Sequence, residues 1–238
     1  LGMNTSGGFQ QYIRVPSDWI VPLPKNLTLK ESMIYGTAGF TAGLCVNEIL
    51  HKGINPDSGK ILVTGATGGV GSLAIALLSK LGFYVVASTG KTERQEFLRL
   101  LGAKEVIHRS EVYDTSEKPL LQRKWVAVVD NVGGNTLSTA IRSTDYDGVV
   151  TSVGLVESEK LNITVYPLIL RGVSIVGIDS AETKMPKRLK IWDKLANEWK
   201  PEILNQIYRE VSLAELDNEI NKILRGEQIG KILVNLWK

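Results

Sequence analysis

The residues with the clearest chemical meaning are glycines. Gly65-Ala66-Thr67-Gly68-Gly69-Val70-Gly71 follows a short apolar run, Lys60-Ile61-Leu62-Val63-Thr64. Behind it Val70, Leu73, Ala74, Leu77, Leu78 and Leu81 recur at helical spacing. Strand, glycine-rich turn and helix form the context in which such a loop cradles a pyrophosphate. Gly68 lets the backbone approach the phosphates, and Gly71 lets the helix pack close to the sheet. The free N–H groups and the positive helix end then face the anion. A strict G-x-G-x-x-G would want glycine at position 66, where Ala66 stands. The cofactor is chosen about 20 residues further on, where an NAD protein carries a carboxylate for the ribose 2′-hydroxyl. Here that place is Ser88-Thr89-Gly90-Lys91, with Arg94 a turn later. No carboxylate repels a phosphate, and hydroxyls and cations can hold one. NADPH is therefore expected over NADH. The plain alternative for Lys91 and Arg94 is a solvated helix start.

Other chemistries find little support. One cysteine, Cys45, excludes an internal disulfide and a multi-thiolate zinc site, and two histidines, His51 and His108, disfavour a histidine-based one. No metal ligands and no catalytic residue are assigned. No Ser/His/Asp or Cys/His set is apparent. A formal net charge of +3 over 238 residues, without a long basic run, excludes a nucleic-acid binder. No apolar run approaches the ~18 residues of a membrane span. The first twenty residues lack a charged start followed by an apolar stretch, so a soluble cytoplasmic protein is expected. The first residue is Leu1, which suggests a fragment.

The elements that must position the loop alternate regularly. Further strands are expected at Tyr84–Ser88, Glu105–Ile107, Val126–Asp130, Gly148–Val153 and Val173–Ile178, with helices at Glu93–Leu101 and Leu137–Arg142 between them. Such alternation means a doubly wound α/β fold, a six-stranded parallel sheet covered on both faces. Ahead of it, Phe9–Val15 reads as strand-like and Trp19–Pro24 as extended. Thr28-Leu29-Lys30-Glu31 is a capping box opening a helical stretch, with a second helix over Ala38–Leu50. Behind it come a helix over Pro186–Trp199, a second capping box at Ser212–Glu215 opening a helix with Leu216, Ile220 and Leu224, and a strand over Ile229–Leu236. Cys45 is expected as a small buried helix residue.

Tyr35-Gly36-Thr37-Ala38-Gly39-Phe40-Thr41-Ala42, Val63–Gly71 and Ala87-Ser88-Thr89-Gly90 together resemble the medium-chain dehydrogenase/reductases. Val165-Tyr166-Pro167, Ile169–Val173 and Gly177-Ile178-Asp179-Ser180 narrow the resemblance to the zinc-free YhdH/YhfP-type quinone oxidoreductases, the group that includes acrylyl-CoA reductase. The resemblance covers essentially the whole chain. It implies an NADPH-dependent reductase with a Rossmann domain inserted into a GroES-like catalytic domain, and a homodimer. On that pattern residues 1–32 are a remnant of the catalytic domain, 33–182 the NADPH-binding domain, and 183–238 the return to the catalytic domain. Members carry roughly 85 to 90 further N-terminal residues, most of that catalytic domain. Zinc-dependent relatives place a ligand cysteine where Tyr35 and Gly36 stand. Carried over by position, Thr67, Gly68, Gly69 and Val70 contact the pyrophosphate. Thr89, Gly90 and Lys91 surround the 2′-phosphate with Ser88 beside them, and Arg109 lies near the adenine. Gly154, Leu155, Ile178 and Asp179 end their strands where ligands of such sheets bind. Thr41 reaches the cofactor from its helix, or is simply a satisfied helix hydroxyl.

The implied reaction is hydride transfer from NADPH to an activated C=C bond of an enoyl thioester, or to a quinone. The proton comes from solvent or from a group outside the chain. A non-catalytic NADPH-binding sensor of the same fold is the competing reading. A short-chain dehydrogenase is disfavoured, since no tyrosine has a lysine four residues later. Lys187, Lys190 and Lys194 share a helix face, either solvated or a dock for the phosphates of a CoA thioester. The Val173–Ile178 strand is expected at a sheet edge, and without Lys or Pro to blunt it, residues 171–180 are expected to pair with a second copy.

Overall fold

A computed structural model describes residues 2 and 5–237; Leu1, Met3, Asn4 and Lys238 lie outside it. Six short runs form the expected sheet: β1 (Lys60–Val63), β2 (Tyr84–Thr89), β3 (Glu105–His108), β4 (Trp125–Asp130), β5 (Thr144–Ser152) and β6 (Ser174–Gly177). All neighbouring pairs are parallel and the order is β3-β2-β1-β4-β5-β6. The chain is a doubly wound Rossmann-type α/β protein. The order reverses between β1 and β4, and a ligand binds in the crevice at such a switch point.

Side chains alternate across the pleat, so the sheet has two cores. Ile61, Val63, Val85, Ala87, Ala127 and Val129 face one way, against α1 (Leu29–His51), α2 (Gly69–Lys80) and α6 (Met185–Ala196). Leu62, Val86, Val128 and Val150 face the other, against Leu137, Ala140 and Ile141 of α4 (Gly134–Arg142). A parallel sheet covered on both faces explains why these strands read as unbroken apolar runs.

The Thr28 capping box is present, with Glu31 N donating to Thr28 Oγ1 and Thr28 N to the Glu31 carboxylate. Gly36, at φ +49°, kinks α1 between the two expected helices. The expected helix at Glu93 is a 3-10 turn (Thr92–Arg94) followed by α3 (Gln95–Leu100).

The structure departs from these expectations in several places. Phe9–Val15 forms no strand among the described residues; its side chains are mostly exposed and it belongs to neither sheet. Instead a single 3-10 turn, Ser17–Trp19, interrupts the extended chain. Between β5 and β6 lies an unanticipated helix, α5 (Tyr166–Arg171), started by Pro167 in its first turn. A second unanticipated element, β7 (Tyr208–Ser212), pairs in parallel with β8 (Lys231–Asn235) in a separate two-stranded sheet. On α6 the buried residues are Ile191, Leu195 and Ala196, while Leu189 is exposed. The Ser212–Glu215 capping box opens a 3-10 turn leading into α7 (Leu216–Leu224). This helix buries Glu219, under Arg209 and Lys222, and exposes Ile220 and Leu224.

Candidate functional site

The glycine loop lies at the switch point. Gly65 leaves β1 at φ +57°, in the left-handed region that glycine adopts without strain. Gly68 N donates to Gly65 O at 3.0 Å and Ala66 N to Ser88 O at 3.1 Å, so the loop is stitched to itself and to the end of β2. A Cβ on Gly71 would stand 2.5 Å from Gly65 O and 2.9 Å from Ala66 Cα. Only glycine lets the helix begin this close to the strand. The first helical bond is Ser72 N to Gly68 O, and no side chain caps α2. The N–H groups of Gly69, Val70 and Gly71 precede that bond and are available to an anion. Such a cradle fits a dinucleotide pyrophosphate.

Ser88, Thr89, Gly90 and Lys91 form the corner at the end of β2. Ser88 and Thr89 are buried and Gly90 is exposed. Lys91 N donates to Thr89 Oγ1 at 3.0 Å, which bends the chain out of the strand. The Arg109 guanidinium is brought over Gly90, where a Cβ would meet Arg109 Cδ and Nε at 3.0 Å. Arg94 instead pairs with its neighbour Glu93 at 3.8 Å.

Two residues of this region escaped sequence reasoning. Lys231, the first residue of β8, lays its stem beside Gly69, with Cδ 3.4 Å from where a Cβ there would be. Burial lowers its pKa, and its ammonium has no carboxylate within ion-pair distance among the described residues. A half-buried cation with no carboxylate partner among the described residues, its stem beside the uncapped start of α2, suits an anion. Its only sequence signal is a Gly-Lys step 160 residues beyond the loop. Asn131, just after β4, holds Thr64 O through Nδ2 at 2.7 Å, while its Oδ1 is buried without a partner. Asp130, before it, is buried and accepts from Thr64 Oγ1 at 2.7 Å and from Gly133 N at 2.8 Å. Burial raises its pKa, an effect these bonds oppose.

The remaining candidates are less directly placed. Gly154 packs on β4, since a Cβ there would be 2.2 Å from Asn131 O. Leu155, beside it, is exposed. Ile178 N bonds Ser152 O, while Asp179 spends Oδ1 on Ala181 N and Glu182 N of its own turn. Thr41 is buried and donates to Thr37 O one turn back at 2.7 Å. Among the three lysines of α6, Lys187 pairs with Glu48 at 2.8 Å and Lys194 with Glu198 at 3.5 Å.

A glycine-rich strand–loop–helix turn at the switch point of a doubly wound parallel sheet defines a protein of the Rossmann class. The model of the zinc-binding dehydrogenase family matches residues 69–194, and the chain belongs to that family. It is 46% identical over 237 residues to the putative quinone oxidoreductase YhfP of Bacillus subtilis (strain 168), covering 99% of this chain and 72% of that protein. Acrylyl-CoA reductase AcuI of Ruegeria pomeroyi (strain ATCC 700808 / DSM 15171 / DSS-3) is 39% identical over 97% of this chain and 70% of its own length. The crystal structure of B. subtilis YhfP with NAD bound superposes with a TM-score of 0.96, covering 99% of this chain and 72% of that one. That of E. coli K-12 YhdH with bound NADPH, 39% identical, gives 0.95 over 98% and 72%. The chain is thus an oxidoreductase of the group that works with a nicotinamide cofactor. The residues present do not fit a zinc ion: no group of three or more His, Cys, Asp or Glu among those described could hold one. Tyr35 is buried with its hydroxyl on Leu195 O, and burial pushes the Cys45 thiol up to about 12. No helix among the described residues is long and apolar enough to cross a membrane.

Proposed function

We propose that the chain binds NADPH and reduces an activated C=C bond of an enoyl thioester, such as acrylyl-CoA, or a quinone. The observation that carries the cofactor choice is the β2 corner, where Lys91 and Arg109 flank Gly90 and no carboxylate lies within Ser88–Lys91. A 2′-phosphate there meets two cations and the end of a strand whose polar groups are already ordered. The N–H groups of Gly69 to Gly71 and the Lys231 ammonium hold the pyrophosphate. Bound in this way, NADPH supplies a hydride. The chain's own part is to fix the dinucleotide along the switch point, with Asn131 Oδ1 offering an acceptor at the end of β4. Dividing the chain at 32 and 182, as the family pattern suggests, leaves every one of these groups except Lys231 in the central unit.

The names of the relatives support both acceptors, quinones through YhfP and acrylyl-CoA through AcuI. Assembly as a cytoplasmic homodimer through residues 171–180 belongs to the same reading. The outer edge of β6, unpaired among the described residues, favours it. Steady-state NADPH oxidation with a short quinone and with acrylyl-CoA, paired with NADPH and NADH titrations, is the test. Turnover of either acceptor with tighter binding of NADPH is expected. Equal binding of NADH would overturn the cofactor assignment. Binding without turnover on any acceptor would favour the non-catalytic sensor.

A further inference from the structure

The turn between α7 and β8, residues 225–230, touches the glycine loop and the β2 corner at separate points. Gly230 N donates to Thr67 O in the glycine loop at 2.9 Å, and Lys231 N to Ile207 O at 2.9 Å. Gly230 sits at φ +56°, and a Cβ there would fall 2.2 Å from Ile207 O, so the turn lies flat only with glycine at that position. Two residues earlier, the main-chain carbonyl of Gln228 accepts from Lys91 Nζ at 2.7 Å. The turn keeps its own shape through local bonds. Arg225 grips Glu227 with Nε and a terminal nitrogen at 2.9 and 3.0 Å, and Gln228 Nε2 donates to Ile229 O at 3.0 Å.

Lysine is a flexible four-carbon stem with three donors. Its main chain at Lys91 is set by Thr89, but nothing on its own strand sets the side chain. The tie to Gln228 O spends one donor, fixes the stem against the turn and leaves two donors free. We propose that Gln228, through its carbonyl, is the positioning residue for Lys91, so that the distant C-terminal turn sets discrimination between phosphorylated and unphosphorylated dinucleotides. The inference rests on the reading of the β2 corner as a 2′-phosphate site. A preset donor meets the phosphate without losing further rotamer freedom, and an unset one does not. Gly230 and Lys231 follow directly, so one segment contacts both the glycine loop and Lys91.

The test is the ratio of dissociation constants for NADH and NADPH, measured by calorimetry on the same chain. In Glu227→Gly/Gln228→Gly the side-chain bonds within the turn are gone, while the backbone bonds of Gly226, residue 227, Gly230 and Lys231 remain and residues 227 and 228 gain backbone freedom. The preference for NADPH is expected to fall about tenfold, the scale of one charge-assisted bond, with NADH affinity little changed. In a Lys91→Met background the same change should lower the ratio no further. Gln228→Gly alone, which keeps the Arg225–Glu227 pair, serves if the double variant does not fold, and should shift the ratio in the same direction. A preserved ratio, an equal loss for both cofactors, or an additive loss in the Lys91→Met background would overturn the positioning role. A wild-type chain without preference for NADPH would overturn the corner itself, and the positioning role with it.

Discussion

Cofactor choice is decided residue by residue, because a single charge at the ribose changes which dinucleotide fits. Replacing Ser88 with Asp and Lys91 with Ala puts a carboxylate where a 2′-phosphate would sit and removes a cation. Each lost charge-assisted bond should cost about 1.5–3 kcal/mol, so NADPH affinity should fall at least tenfold while NADH gains, as titration of both cofactors will read. Unchanged NADPH affinity would show that these residues do not hold the phosphate. Lys231 gives a pH signature. Burial holds its pKa below the ordinary lysine value, so the unfolded chain binds that proton more tightly. Between the folded and unfolded values stability therefore rises with pH. A pyrophosphate favours the protonated form, so NADPH affinity should fall as pH climbs through the lowered folded value. Lys231→Met should weaken binding and flatten this dependence in titrations from neutral to alkaline pH. A slope that survives in Lys231→Met would assign it to another group.

At the scale of elements the critical join is β1 to α2. Gly71 has no room for a methyl group, with Gly65 O and Ala66 Cα both closer to a Cβ than real contacts allow. Gly71→Ala must push the first turn of α2 off the strand. It should cost roughly 1–3 kcal/mol of stability, read as a lower denaturation midpoint, and remove most dinucleotide affinity. Retention of full affinity would mean the helix start does not face the phosphates. Pairing of Asp130 with Thr64 and Gly133 holds the neighbouring strand ends in register.

At the scale of the whole molecule, the sheet ends in two edge strands, β3 and β6, each with one neighbour among the described residues. Beyond β5, β6 pairs on one side only, from Val149↔Ser174 to Ser152↔Gly177. Its side chains are half-buried or exposed, and it carries no Lys or Pro. Such an edge is a template for pairing. Light scattering at micromolar concentration is expected to give a dimer, and Ser174→Pro, which deletes a backbone donor, should release monomers or aggregate. A monodisperse wild-type monomer would exclude this interface. Apolar residues of α7, among them Ile220, Ile223 and Leu224, are also exposed. Their relatives are longer chains, of which this one covers 72% in YhfP.

Much of this was legible in the residues themselves. Apolar runs at Ile61–Val63, Val85–Ala87 and Ala127–Val129 announce buried parallel strands, because a strand covered on both faces needs no alternation. The glycines at 65, 68 and 71 announce the tight turn from β1 into α2, because their spacing is local and the turn depends on few neighbours. Phe9–Val15 shows the limit: its residues suit a strand, yet strands exist only where another edge supplies hydrogen bonds. β7 likewise takes its identity from β8, about twenty residues later. Lys231 and the Gln228 carbonyl reach the site from the far end of the chain. Nothing in the residues around them fixes that approach; it comes from β8 pairing with β7 and from Gly230 lying down on Ile207 and Thr67. Local spacing determined the strand–loop–helix unit; long-range pairing alone brought Lys231, from the far end of the chain, beside it.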